Sequence, residues 1–434
     1  MATITVDQQK LVMNAFAAQF ENNLVTTECV TWKQFDGEMD DRNGLTVSEQ
    51  VGPRYSVTTT TSGVKDLTAG VQGSVFGSEQ FTVNKTFGTS MGWADFVKIR
   101  DIGSARESVA LKNAATNLSE AIDSYIFGVM QKASNNWLGT PANGVSAWAD
   151  VMQGYTRLKN EGASDSDLRA VLTYDDQQAL GSAVLGYAAP DGMVTDTYRK
   201  GFQGQIGGIP LLFTQQLPVL TAGTRVASGA AQVDGAAENV NYADVAVSGA
   251  AGRYMSQVIS IKNLTGTKTI EAGAVFTIAD VYAYDNRAQV TTTRLQQFTV
   301  IDAVTSASGI VDARIFPAII VPGSGSGDNV LINTAHATVG TIPADSAAIT
   351  FIGTASTAYR PRVLLEKQAI VVNTASLIKP ATGISSSISL ENVPLSVRMW
   401  QHSDFATGAH SVRFDVALTA NIRDRRRIIR INGA

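Results

Sequence analysis

The sequence contains one cysteine in 434 residues, Cys29, and three histidines. A single thiol excludes an internal disulfide and any multi-thiolate metal site, and it fits assembly in a reducing cytoplasm. Cys29 reads as a small buried apolar residue rather than a nucleophile, since no histidine lies near it in the sequence. Charge is scarce too. Asp, Glu, Lys and Arg make up 17% and the formal net charge is −4, so no field draws the whole chain to nucleic acid or to an anionic membrane. No window approaches ~18 uninterrupted apolar residues, so no membrane span is expected. The opening MATITVDQQKLVMNAF lacks a basic stretch leading into an apolar one, and no export signal is expected. The absence of a fixed period excludes solenoids.

What is present is length for roughly two to four domains and an abundance of Gly, Ala, Ser and Thr. That balance suits a surface largely covered by neighbours. Residues Asp7 to Leu24 predict an amphipathic helix with Leu11, Val12, Ala15, Phe16 and Phe20 on one stripe. An extended segment from Thr26 to Asp36 follows. From Asp40 to Gly88 the pattern is polar, Gly- and Thr-rich alternation, a hairpin too poor in large apolar residues to build its own core. It must lie on something else, in this chain or in another copy.

A long helix is expected from about Ile102 to Ser134, with Ser104 as N-cap and Leu111, Leu118, Ile122, Ile126 and Val129 at helical spacing. Ser146 to Glu161 predicts a second helix with Trp148, Val151, Met152 and Tyr155 inward. Leu168 to Thr173 predicts a short buried strand and Asp175 to Leu185 a third helix. Between about Arg225 and Thr354 short strands alternate with turn signals, which suggests a small β-barrel or sandwich. After Arg360, Val363 to Val372, Leu395 to Met399 and Val412 to Leu418 read as strands.

Inside the β-rich stretch, Ala274 to Tyr284 and Leu295 to Val300 have strand chemistry and Asp285 to Arg294 is polar and turn-forming. Gly273, Phe276, Ile278, Ala279, Val281, Tyr282, Tyr284 and Asn286, followed by Leu295, Gln296, Gln297 and Phe298, resemble the inserted β-domain of the P-twenty-two-like coat proteins of short-tailed bacteriophages. The stretch from Gly207 to Gly223 and the closing VRMWQHSDFATGAHSVRFDV, Val397 to Val416, carry the same resemblance, and the order of all the parts extends it over nearly the whole chain.

The resemblance implies an α+β, HK-ninety-seven-like phage capsid fold with an inserted small β-barrel domain. It implies an N-terminal arm at 1–39, an extended hairpin loop at 40–90 and the spine helix of a peripheral domain at 91–139. The first part of an axial domain is expected at 140–224, the inserted domain at 225–354 and the remaining axial and peripheral strands at 355–434. The implied function is that of a major capsid protein, self-assembling as hexamers and pentamers into an icosahedral head around double-stranded DNA. The implied partners are other copies, a scaffolding protein, the portal protein, packaged DNA without sequence preference and a decoration protein, with no membrane. The hairpin would then lie across a neighbouring subunit.

No catalytic constellation, cofactor site or metal site is expected. His402, Asp404 and His410 share a hairpin loop but lack a third fixed ligand or a nucleophile elbow. Gly323, Gly325 and Gly327 lack the Lys-Ser/Thr and the following helix of a phosphate loop, and Gly204, Gly207 and Gly208 miss the dinucleotide pattern. Asp175 and Asp176 read as cap and dipole partners of a helix. Lys65 and Lys85 match a crosslinking lysine only by position, and no isopeptide bond is expected.

The strong basic cluster is Arg423, Arg425, Arg426, Arg427 and Arg430. Ion pairs from a terminal strand to a neighbouring subunit are favoured over contacts with DNA, because Ile428, Ile429 and Ile431 interleave with the arginines. Asp7, Glu21 and Glu28 form an acidic arm, which the resemblance makes a landing place for a basic scaffolding segment. Glu238, Asp244 and Arg253 lie where the family has a loop reaching a neighbouring capsomer. Two other classes make demands that differ from these. A β-rich adhesin or tail-fibre protein would show trimeric repeats or an export signal, and an α/β enzyme would need a converging acid, base or metal set.

Overall fold

The computed structural model describes residues 6–35, 46–56, 72–92, 108–164, 167–185, 205–225, 231–247, 249–378, 384–390, 392–403 and 410–433. The chain divides into two compact units. One comprises Met1–Val47, Phe81–Val129 and Ile370–Asn421; the other comprises Ser48–Gln80, Met130–Ala369 and Ile422–Ala434.

In the first unit the helix Val6–Asn23 buries Val12, Met13, Phe16 and Phe20, a 3/4-spaced stripe that leaves Leu11 and Ala15 at its edge. The Phe16 ring stacks on Phe414 with centroids 4.2 Å apart, which places the helix on a sheet. That sheet runs Thr31–Gln34, Ile370–Ala375, His410–Ile422, Ser396–Ser403, Ile384–Ser389, and Thr86–Gly92 also pairs with the strand His410–Ile422. Because side chains alternate along a strand, Phe414 faces the helix and Asp415 faces away. Asp415 is bound there by Arg398 at 2.7 Å and by Arg413.

The long helix is Val109–Ala133, and the proposed cap Ser104 lies outside the described residues. Ser108 takes the capping role instead, its Oγ accepting from the Leu111 N–H at 3.3 Å. On this helix Asp123 is fully buried. Its carboxylate accepts from the Thr26 hydroxyl at 2.6 Å, the Thr26 N–H at 3.3 Å and the Val25 N–H at 2.9 Å, so one side chain satisfies the turn after the first helix.

In the second unit an open sheet runs Asn136–Leu138, Ile428–Ile431, Arg362–Glu366, Leu168–Leu172, Ile209–Phe213, Gln205–Ile206. The helix Trp148–Asn160 lies on it. Gly154 permits the approach, since a Cβ there would stand 2.8 Å from Leu364 Cδ2. Val151 is buried as expected and Met152 and Tyr155 partly so, with Leu158 buried beside them, but Trp148 is 57% exposed. It opens the helix one turn before the buried stripe begins. The expected strand Val363–Val372 is in fact two, Arg362–Glu366 and Ile370–Ala375, broken by a 3-10 turn at Lys367–Ala369. The two belong to different sheets, and the Ala369 carbonyl accepts from the Arg423 and Asp424 N–H groups. The sign of the break in the sequence is the polar Glu366, Lys367 and Gln368 between two apolar runs.

The second sheet of this unit runs Gln232–Val233, Gln257–Lys262, Val311–Phe316, Val290–Val300, Val275–Asp285, Ile349–Phe351. Its first strand bonds back to its last: Val233 N–H donates to Ala347 O, Ile349 N–H to Ala231 O, and Gln232 bridges Ala348. The hydrogen-bonded path returns to its start and encloses a core that includes Phe276, Ile278, Val281, Phe298, Ile259 and Ile315. In Val275–Asp285 the buried set switches phase at Ala279–Asp280, where the register with Val290–Val300 shifts and Asp280 has φ +62°. That bulge lets both Ile278 and Val281 face inward. The strand after the turn begins at Val290, not Leu295, because Asp285 closes a tight turn by accepting from the N–H groups of Arg287 and Ala288.

Chain entry and exit of this ring are adjacent. Leu220–Thr221 pairs with Ala358–Tyr359 in an antiparallel neck, and the Arg225 guanidinium donates to Ile352 O at 2.6 Å.

Candidate functional site

The functional geometry of the second unit is a junction where the end of the long helix, the ring, the polar hairpin and the arginine run meet. The strand Asn136–Leu138 is held from two sides. On one side it pairs with Ile428–Ile431. On the other, Gln297 acts as a strand surrogate: its Oε1 accepts from the Trp137 N–H at 2.7 Å and its Nε2 donates to the Trp137 carbonyl at 3.2 Å. Thr299, next on the same face, donates its hydroxyl to Ser134 O at 2.9 Å and to Asn135 O at 3.2 Å. Gly273, at φ +87°, brings its backbone against Lys132, where a Cβ would lie 3.0 Å from Lys132 Cα. These contacts give the Gly273 and Leu295–Phe298 parts of the motif a physical task. They dock the ring on the helix end.

The five arginines each have a partner within this chain. Arg423 meets Glu49 at 2.6 Å. Arg425 is buried and donates to Gly252 O at 3.1 Å, with its guanidinium 6.0 Å from the Phe316 ring. Arg426 binds Asp424 through Nε and Nη2, both at 3.1 Å. Arg427 grips the buried carboxylate of Glu366 at 2.9 and 2.8 Å, a bidentate geometry that suits a planar fork. Arg430 is 1% exposed, donates to Gly273 O at 2.6 Å and stands 4.7 Å from the Trp137 ring centroid. Burial and the nearby Arg225 pull its pKa down to about 9, still charged at neutral pH. Burial likewise takes Arg425 down to about 10, with Glu79 and Asp302 opposing. Arg426 is raised, chiefly by Asp424.

The described arms of the hairpin, Thr46–Val51 with the residues to 56 and 72–76 with Gly77–Thr82, rest on the same block. Glu79 is buried and accepts from the Gly252 N–H at 2.5 Å and the Tyr254 N–H at 3.0 Å. Burial raises its pKa, with those two N–H groups opposing. Ser78 N–H donates to Ala246 O at 2.8 Å. Arg54 N–H donates to His336 Nε2 at 3.3 Å, and the His336 ring stacks on Tyr242 with centroids 3.5 Å apart. Accepting from a backbone N–H requires a neutral imidazole. Burial is the main cause that brings the His336 pKa down to about 4, with Arg54 and Arg426 adding to it.

The remaining predicted residues are dispersed. The Asp7 side chain lies outside the described residues, Glu28 is exposed, and Glu21 Oε1 accepts from the Asn392 N–H at 2.7 Å. Glu238 offers its carbonyl to Gln257, Asp244 accepts from Asn241 at 3.2 Å, and Arg253 pairs with Asp302 at 3.1 Å, so these three are not brought together. His402 lies in the strand Ser396–Ser403, Asp404 is outside the described residues, and His410 opens the next strand opposite Ser403. Gly204 is outside the described residues, while Gly207 and Gly208, at φ +58° and +80°, form the two-residue turn between Gln205–Ile206 and Ile209–Phe213. A helix does follow Gly323, Gly325 and Gly327, namely Asn329–His336, contrary to the expectation. The loop before it is tied down, as Asn333 Nδ2 donates to Ser324 O at 2.9 Å and Asn241 Oδ1 at 3.0 Å.

Asp176 does more than cap its helix, for it forms a buried ion pair with Arg362 at 2.8 Å. Asp175 is exposed in the first turn. Lys65 is outside the described residues and the Lys85 ammonium sits 4.2 Å from the Tyr125 ring centroid. Among the described residues no group of three or more His, Cys, Asp or Glu side chains could hold a metal ion, and no helix is long and apolar enough to cross a membrane.

The model of the family described as P22 coat protein, gene protein 5, matches residues 1–426. The major capsid protein of Acyrthosiphon pisum secondary endosymbiont phage 1 is 22% identical over 417 residues, which span 94% of this chain and 93% of that protein. Of solved structures, the capsid of cyanophage P-SCSP1u aligns over 94% of this chain and 87% of its own at 7% identity and a TM-score of 0.42. The CUS-3 coat protein I-domain aligns over 30% of this chain and 100% of its own at 24% identity and a TM-score of 0.21.

Proposed function

The chain belongs to the P22 coat protein family, and from that premise we propose that this phage major capsid protein self-assembles as hexamers and pentamers into an icosahedral head around double-stranded DNA. The observation that carries the proposal is the family match across residues 1–426, which takes in both units and the ring. In this reading the polypeptide has the HK-ninety-seven-type arrangement: arm, extended loop, spine helix, axial and peripheral parts, and an inserted domain at about 225–354. Assembly takes place in the host cytoplasm with a scaffolding protein and a portal, and the finished shell is part of the virion.

The physical support is a division of labour. Junction contacts such as Gln297 with Trp137 and Arg427 with Glu366 are made within one chain, which leaves exposed side chains to form weak, correctable contacts between copies. Glu28, exposed just past the first helix, is with Asp7 and Glu21 the proposed contact for a basic scaffold segment. Packaged DNA would be met without sequence preference, and Arg423, Arg426 and Arg427, which keep part of their surface exposed, are the members of the run able to reach DNA or another subunit. The test is electron microscopy of the chain expressed with and without its scaffold. Closed shells are expected with scaffold and fewer from a Glu28→Lys variant; a discrete small oligomer under both conditions would sink the proposal.

A further inference from the structure

Between the hairpin arm, the ring and the arginine run lies a cavity of about 110 Å³, several times the ~30 Å³ share of one water. Its lining includes three arginines, Arg54, Arg294 and Arg426, against one carboxylate, Glu161. Glu161 is already held by Arg157 at 3.0 Å and Arg426 by Asp424. Among the described residues neither Arg54 nor Arg294 has a carboxylate partner. Asn135 also lines the cavity; it is 1% exposed and its Oδ1 has no hydrogen-bond partner. The walls therefore present two arginines without an ion pair, Arg54 also feeling the charge of Asp285, and a buried amide oxygen that calls for a hydrogen-bond donor.

We propose that this cavity binds a small free oxyanion of the hydrogenphosphate type, held by the guanidinium groups of Arg54 and Arg294, with its P–OH donating to the Asn135 Oδ1. Planar guanidinium forks match tetrahedral oxyanions in geometry and charge. The cationic character of the space has independent signs. Burial lowers the Arg54 pKa, and the charges of Arg426 and Arg287 lower it further, with Asp285 and Tyr254 opposing. The same Arg54 and Arg426 charges add to burial in depressing His336. A bound anion would offset the positive charges that act on both groups. Because Arg54 comes from the hairpin arm, Arg294 from the ring and Arg426 from the arginine run, the anion would tie three distant stretches of sequence at one point.

The experiment is thermal unfolding and calorimetric titration of the full-length chain with inorganic phosphate, against chloride at matched ionic strength. Phosphate is expected to raise the melting temperature specifically and to bind with a stoichiometry near one. An Arg54→Gln/Arg294→Gln variant should lose both effects, Arg294→Lys alone should keep part of them, and Lys112→Gln, on the long helix of the other unit, should leave them unchanged. No phosphate-specific shift in the parent, or full retention in the double glutamine variant, would overturn the assignment. A short DNA duplex that displaces phosphate with equal or greater effect would also overturn it, since the occupant would then be a nucleic-acid backbone.

Discussion

Two buried titratable residues contribute to the acid response with opposite signs. The carboxyl of Asp123 is pushed up to about 6, chiefly by burial, with the hydrogen bonds from Thr26 and Val25 opposing. An acid raised from 3.8 to about 6 binds its proton more readily folded than unfolded. Its stabilising contribution is complete below the unfolded pKa and disappears as pH rises through the folded one. At 1.36 kcal/mol per pKa unit this is on the order of 2–3 kcal/mol. His336 is the reverse case: lowered from 6.5 to about 4, it stabilises above pH 6.5 and loses that contribution as pH falls towards 4. Both can be followed by denaturant unfolding between pH 7 and 4. The parent-minus-variant difference is expected to grow on acidification for Asp123→Asn and to shrink for His336→Gln. Identical slopes in the two series would contradict the assigned environments.

At the level of elements, the Gln297 amide replaces a missing strand neighbour, and Trp137 is 5% exposed. Truncation to alanine leaves a buried N–H and a buried carbonyl without partners, so Gln297→Ala should cost about 2–6 kcal/mol at roughly 1–3 kcal/mol per unsatisfied group, read from the denaturant midpoint. Little in the sequence announces this, since a polar residue in a strand looks the same whether it meets water or a backbone. The neighbouring Phe276 and Phe298 were legible as strand residues because aromatic and β-branched residues cluster around them. The helices bearing Phe16 and Phe20, or Leu111, Leu118 and Ile122, were legible for the same kind of reason, a repeated 3/4 spacing.

What escaped was of three kinds. The Ala279–Asp280 bulge changes the phase of an otherwise regular strand. The break at Lys367–Ala369 falls on a short polar interruption, Glu366 to Gln368, that a strand could equally carry on an exposed face. The exposed Trp148 belongs to a helix whose buried stripe starts one turn later. The candidate site was legible only in part: its arginines stood out as a cluster, while their partners Glu49, Glu366 and Gly273 are scattered along the chain and come together only through the fold. The closed ring carries its own core, so a fragment spanning 226–354 should fold alone and melt cooperatively, as circular dichroism would show. A fragment without a cooperative transition would mean that the ring depends on the Trp137 dock for its stability.

For the whole molecule, each unit is assembled from three separate stretches of sequence, so most of its structure rests on long-range pairing that forms late. The strand Ile428–Ile431 lies between Asn136–Leu138 and Arg362–Glu366, which ties the arginine run to residues made nearly three hundred positions earlier. The ring escapes this interleaving. Its chain enters and leaves through one antiparallel neck, with Thr221 opposite Ala358. A segment whose two ends are hydrogen-bonded neighbours can be exchanged for any other domain with adjoining termini without rethreading the rest of the chain. The neck is thus a splice point at which a foreign domain could be displayed on every copy, on condition that the replacement also supplies a group to occupy the backbone of Trp137.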